Sequence, residues 1–230
     1  MLAAPLTLRL LSPADRPAIL RHLARLGPEQ ARLRFGHSPT DSSLASYLKS
    51  LDFDRDALFG AVDDASGEMF AFAQMAQDPE PGCGELGLSV ELSCQGLGLG
   101  KALLGRALAL ARDAGFHSLI IHCSWDNAPM LALGRLAQGR IERNMGEMCF
   151  VLNVEHSLGV LGSPSPLWGP WKAPLRRSVK AALHAVAQTS VAILGAQKKA
   201  QQGAPSAKGA ILIPRNDALD PSALDEELSV

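Results

Sequence analysis

The segment Gln95-Gly96-Leu97-Gly98-Leu99-Gly100 restricts this chain more than any other. Its three alternating glycines stand between a stretch of strand character, about residues 84–91, and the strongest helical pattern in the chain. That pattern is Leu99, Leu103, Ala107, Leu110 and Ala114, closed by Gly115. Glycines at such a junction let successive backbone N–H groups converge and a ligand approach closely. The unpaired N–H groups of a helix start, together with its dipole, favour an anion. A diphosphate is the natural guest, with Lys101 either adding a charge at the rim or staying solvated. Two common diphosphate patterns fail. In G-x-x-x-x-G-K-[ST], Gln95 stands where the first glycine belongs and Ala102 follows Lys101; in G-x-G-x-x-G, Lys101 takes the third glycine position.

Hydrophobic period supplies the surroundings of the loop. Residues 6–10 read as a strand, and Ser12-Pro13-Ala14-Asp15 opens a helix with Ile19, Leu20, Leu23 and Leu26 on one face. Helical segments follow at about 28–34 and around Leu44, Tyr47, Leu48 and Leu51. Strands are expected at 57–62, 68–75 and 84–91, then the helix after the glycine loop, then an apolar strand at 118–123. A helix at 127–137 and two strands, about 140–144 and 147–152 with a turn at Met145-Gly146, complete the pattern. The order describes a mixed α/β (α+β) domain over residues 1–152.

Residues 153–230 form a different kind of sequence. Gly, Pro and Ser dominate residues 159–174, which carry Trp168 and Trp171. A basic amphipathic helix is expected at about 172–199, followed by chain of disordered composition with an acidic end. Such a helix packs on its own domain or a second copy, giving a homodimer, or it rests on an anionic membrane. The first of these is preferred.

Composition excludes several classes. A net charge of −1 gives no steering towards nucleic acid, and no nucleic-acid partner is expected. The four cysteines form no C-x-x-C pair and no zinc-like spacing, so no metal is expected. No run approaches the ~20 apolar residues of a membrane span. The start of the chain lacks the pattern of a signal peptide, and free thiols fit a cytoplasmic setting.

Within this frame, residues 95–100 fit Q/R-x-x-G-x-G/A, and the chain resembles the GNAT (Gcn5-related) N-acetyltransferases over about residues 6–152. The strand with Glu85, the glycine loop, its helix, the strand at 118–123 and Asn127-Ala128-Pro129-Met130 follow in the order of that family. Arg32 to Gly36, Tyr47 and Leu51 to Asp56 resemble one branch of uncharacterised bacterial members.

The resemblance implies a GNAT fold, a mixed central sheet flanked by helices, with acetyl-CoA as co-substrate. It implies that two parallel strands splay apart to hold the thioester, with backbone N–H groups of Leu88, Ser89 and Val90 at its carbonyl. The amides of Gln95, Gly96, Leu97, Gly98, Leu99, Gly100 and Lys101 would hold the pyrophosphate. Asn127 would fix the CoA arm, although it also reads as a helix cap. Glu85 would be the general base, often through water, for a primary amine: a small amine or a protein lysine attacking directly in a ternary complex. Its other reading is an exposed charge at a strand end, and His117 and His122 are weaker candidates. Many relatives carry a tyrosine seven residues after the asparagine as general acid; here that position is Gly134. The departure leaves a second reading open, a non-catalytic acyl-CoA sensor with the same fold. Asp52, Asp54 and Asp56, or Arg32, Arg34 and Arg55, are candidates for the acceptor wall.

Overall fold

The periods read from the sequence recur in a computed structural model of the chain, which describes residues 6–144 and 147–162. The strands are β1 (Thr7–Leu10), β2 (Ala57–Val62), β3 (Met69–Gln77), β4 (Cys83–Val90), β5 (Ser118–Cys123), β6 (Arg140–Asn144) and β7 (Glu147–Asn153). The helices are α1 (Arg16–Arg25), α2 (Pro28–Phe35), α3 (Asp41–Ser50), α4 (Leu99–Ala114), α5 (Ala128–Leu136) and α6 (Val154–Leu161). One seven-stranded sheet runs β1-β2-β3-β4-β5-β7-β6. Its neighbours are antiparallel except β4 and β5, which are parallel.

Alternation along the strands divides the core in two. On one face, Leu86 and Leu88 of β4 and Leu119 and Ile121 of β5 pack with Leu103, Ala107, Leu108 and Ala111 of α4. On the other, Phe72 and Leu58 pack with Ile19 and Leu23 of α1 and Leu44 and Leu48 of α3. Fully burying a leucine or phenylalanine stabilises by about 1.5–3 kcal/mol, so the sheet is anchored from both sides.

No pattern in the sequence points to α6. Asn153 caps it, its side chain accepting from His156 N at 2.9 Å, and Val154 and Leu161 join the core around α4. The fold therefore continues past the strand at 147–152. The Met145-Gly146 turn and the tail, with Trp168, Trp171 and the helix expected at 172–199, lie outside the described residues. Among the described residues, no helix is long and apolar enough to cross a membrane.

Candidate active site

The parallel pair β4–β5 is short. Its pairing runs Cys83 with Ser118, Gly84 with Leu119 and Glu85 with Ile120, and then ends. Beyond that rung β4 keeps only its antiparallel partner β3, which it follows as far as Val90. The two strands part, and a cavity of about 550 Å³ opens between them. Leu86 to Val90 and Ile121 and His122 form its strand walls, Gln30, Leu33 and Arg34 of α2 one side, and Met130 and Leu133 of α5 the other.

The glycine loop closes one end. Gly96 and Gly98 have φ of 75° and 86°, the left-handed region where a side chain would be strained. That turn delivers the chain into α4 with Gly98 as its N-cap, and Ala102 N donates to Gly98 O at 3.0 Å. The preceding N–H groups of the first turn have no intrahelical acceptor. Gln95 ties the loop back to β4, its Nε2 donating to Val90 O at 3.2 Å. The residues present thus suit a diphosphate: a helix start, two glycines that keep side chains away, and Lys101 at the rim.

Of the residues expected at the site, Leu88, Ser89, Val90, Gln95, Gly96, Gly98, Leu99, Gly100, Lys101 and Asn127 all line this one cavity. Leu97 does not; the residue is 51% exposed. Asn127 does what its bland reading says, its Oδ1 accepting from Met130 N at 3.1 Å to cap α5. The cap does not use the side-chain NH2, and the residue also faces the cavity.

Glu85 sits on the last paired rung, exposed, and the cavity wall begins one residue later. The register of the β3–β4 hairpin sets Asp78 beside it, and β5 brings His122. Potential ligand atoms of Asp78, Glu85 and His122 all lie within 4.8 Å of one another. Sequence spacing hid this cluster, because the turn after β3, the start of β4 and the later part of β5 each contribute one residue to it.

The acceptor-wall candidates separate cleanly. Arg32 is an external ion-pair partner of Glu29 and Asp126. Asp52 Oδ1 accepts from Asp54 N and Arg55 N in a surface turn, each at 3.0 Å. Asp56 is buried, bonded to Arg55 Nε at 3.0 Å and Gln74 Nε2 at 2.8 Å. Arg34 alone among them lines the cavity. Its Nη2 donates to Tyr47 Oη at 3.2 Å, and Tyr47 Oη donates to Gln74 Oε1 at 2.7 Å. Burial pushes the Tyr47 phenol up; the Arg34 charge opposes this, while the Asp56 and Glu85 charges add to it. Tyr47 therefore remains a neutral hydroxyl near neutral pH.

Two further features were not legible. His22 is fully buried, and its Nε2 is 2.8 Å from Ser89 Oγ in the cavity wall. Its Nδ1 lies 3.6 Å from Glu91 Oε1, too long for a hydrogen bond. Burial also pushes the Cys123 thiol up to about 11, so at neutral pH it is not a thiolate nucleophile.

A seven-stranded sheet whose one parallel pair splays over a glycine-rich helix start defines a GNAT-type domain. Residues 25–136 match the model of the Acetyltransferase (GNAT) family, which supports a GNAT family member. It is similar to a mycothiol acetyltransferase of Paenarthrobacter aurescens, 33% identical over 109 residues, which is 43% of this chain and 33% of that protein. The chain thus matches about a third of that relative's length. Among solved structures it resembles the GNAT domain of S. lividans PAT, with TM-score 0.55, 18% identity and coverage of 64% of this chain and 89% of that one. It also resembles the PaiA N-acetyltransferase of Thermoplasma acidophilum in complex with coenzyme A, with TM-score 0.52, 14% identity and coverage of 65% and 99%. At these identities the structures speak for the fold.

Proposed function

We propose that this domain transfers an acetyl group from acetyl-CoA to a primary amine, a small amine or a protein lysine. The observation that carries the reading is the continuity of one cavity from the glycine loop before α4 to the gap between β4 and β5. A diphosphate at the loop and a thioester in the gap fit a single extended donor. Backbone N–H groups of Leu88 to Val90 are the donors for the thioester oxygen as its carbon becomes tetrahedral. Gln95 to Lys101 hold the pyrophosphate, and the side-chain NH2 of Asn127 is available to the CoA arm.

Glu85, directly or through water, takes the proton from the attacking amine, with Asp78 and His122 beside it. Attack is direct, within a ternary complex, and the high pKa of the Cys123 thiol argues against an acyl-cysteine route. The leaving thiolate, from a thiol whose ordinary pKa is about 8.5, is protonated by water. Four unpaired thiols support a cytoplasmic setting.

Calorimetry with acetyl-CoA, then thiol release across an amine panel, tests the reading. Binding is expected, with Glu85→Gln lowering kcat by about 10²–10⁴-fold while acetyl-CoA affinity holds. No binding at millimolar acetyl-CoA would sink the proposal. Tight binding without transfer would favour the sensor instead.

A further inference from the structure

At the end of the cavity away from the glycine loop, α2 presents two donors and no acid. Gln30 and Arg34 are one helical turn apart, on the same face, and both line the cavity. Gln30 Nε2 and Arg34 Nε are buried with no hydrogen-bond partner. Among the described residues no carboxylate lies within ion-pair distance of Arg34. The side chain is held by neutral groups: the Tyr47 hydroxyl, and the Phe35 and Tyr47 rings at 5.2 and 5.9 Å from its Cζ.

Space for the guanidinium comes from a glycine. A Cβ at Gly87 would lie 2.5 Å from Arg34 Nη2 and 2.7 Å from Cζ, so the group rests flat against the β4 backbone. A partly buried cation with neutral neighbours is costly unless something negative joins it. The CoA diphosphate is not that partner by position: its loop leads into α4 on the opposite face of the sheet. Two residues before Gly87 on the same face of β4, about 7 Å along the strand, stands Glu85 with Asp78 and His122.

We infer that the acceptor is a small amino acid, its carboxylate bound by Arg34 and Gln30 over Gly87 and its amine presented to Glu85. The inference rests on the acetyl-CoA reading above and narrows its acceptor from any amine to one bearing an anionic group. Arg34 offers a planar fork that matches a carboxylate, and Gln30 adds a further N–H. Opposite charges at the two ends of the acceptor are thus met by opposite charges of the site.

The test uses the full chain, with acetyl-CoA binding measured first by calorimetry. Thiol release is then compared for matched acceptors, each a free amino acid and its carboxamide. The free acid is expected to have the lower KM. That advantage should shrink roughly 10- to 150-fold in Arg34→Met, and in Gly87→Ala, which displaces the guanidinium without removing it. Acetyl-CoA affinity of both variants is measured alongside to establish that they are folded. Equal use of acid and carboxamide, an advantage that survives Arg34→Met, or acetyl-CoA binding with no transfer to any free amino acid overturns the anion site and leaves the donor reading standing. Failure to bind acetyl-CoA at all overturns both.

Discussion

Phe150 fills the space that a side chain at position 134 would need. A Cβ on Gly134 would lie 2.5 Å from both Phe150 Cδ2 and Phe150 Cε2, with Phe150 itself fully buried in β7. The glycine lets α5 settle onto β7, and Gly139 repeats the device against Leu152 and Phe150. The position where many relatives carry a tyrosine is therefore a packing contact here. Gly134→Ala should gain about 1 kcal/mol of helix propensity yet lose about 2–3 kcal/mol, the upper part of the overpacking range, to so short a contact, a net destabilisation of about 1–2 kcal/mol read from urea unfolding. Gly134→Tyr should lose more and should not raise kcat. A variant as stable as the parent would show that α5 and β7 can move apart.

The glycine loop makes the opposite kind of demand. A Cβ at Gly98 meets nothing within 4 Å, but φ is +86°. Gly98→Ala is thus a backbone experiment: about 1–2 kcal/mol of strain, relieved by a change of the loop that breaks the convergence of its N–H groups. Acetyl-CoA affinity should fall by roughly 10-fold, the equivalent of ~1.4 kcal/mol. Calorimetry showing unchanged affinity would remove the loop from the diphosphate site.

Much of this architecture could be read in advance, for a definite reason. The β4–loop–α4–β5 run is local, so its period and its glycines are written consecutively, and ten of the expected site residues meet in one cavity. What escaped was made by register and packing. Glu85 meets Asp78 and His122 only because antiparallel pairing sets the end of β3 beside the start of β4, and parallel pairing sets β5 beside it on the other side. Ser89 meets His22 across 67 positions of sequence. Arg34 could be picked from the three arginines only once Arg32 and Arg55 had been seen to have carboxylate partners. The helix α6 was missed because its eight residues carry too few apolar turns to stand out after a strand.

The His22–Ser89 contact has a cost attached to its loss. His22 is wholly buried, with Nδ1 already unpartnered and Ser89 Oγ the neighbour of Nε2. Ser89→Ala would strand the second ring nitrogen and should destabilise by about 1–3 kcal/mol. The double variant with His22→Leu should recover part of that loss, since both polar groups are then gone. A double variant no better than the sum of the two singles would show that the pair is not coupled.

Asp15 gives the fold a dependence on acid. Arg9 grips its carboxylate through Nη2 at 2.7 Å and Nη1 at 3.1 Å, while Ser12 donates from N at 2.7 Å and from Oγ at 3.0 Å. Burial works to raise this carboxyl, but the hydrogen bonds from Arg9 and Ser12 outweigh it and hold it below the ordinary value. A folded-state pKa below the unfolded one means that the unfolded chain binds the proton more readily. The stabilisation is therefore full above the unfolded value, about 3.9, and drains away as the pH falls through the folded one. Asp15→Asn should lower stability at neutral pH and make the loss of stability between about pH 5 and pH 2 less steep than in the parent. Urea titrations at several pH values read both effects; parallel pH profiles for parent and variant would show that the Arg9–Asp15 pair contributes nothing to acid sensitivity.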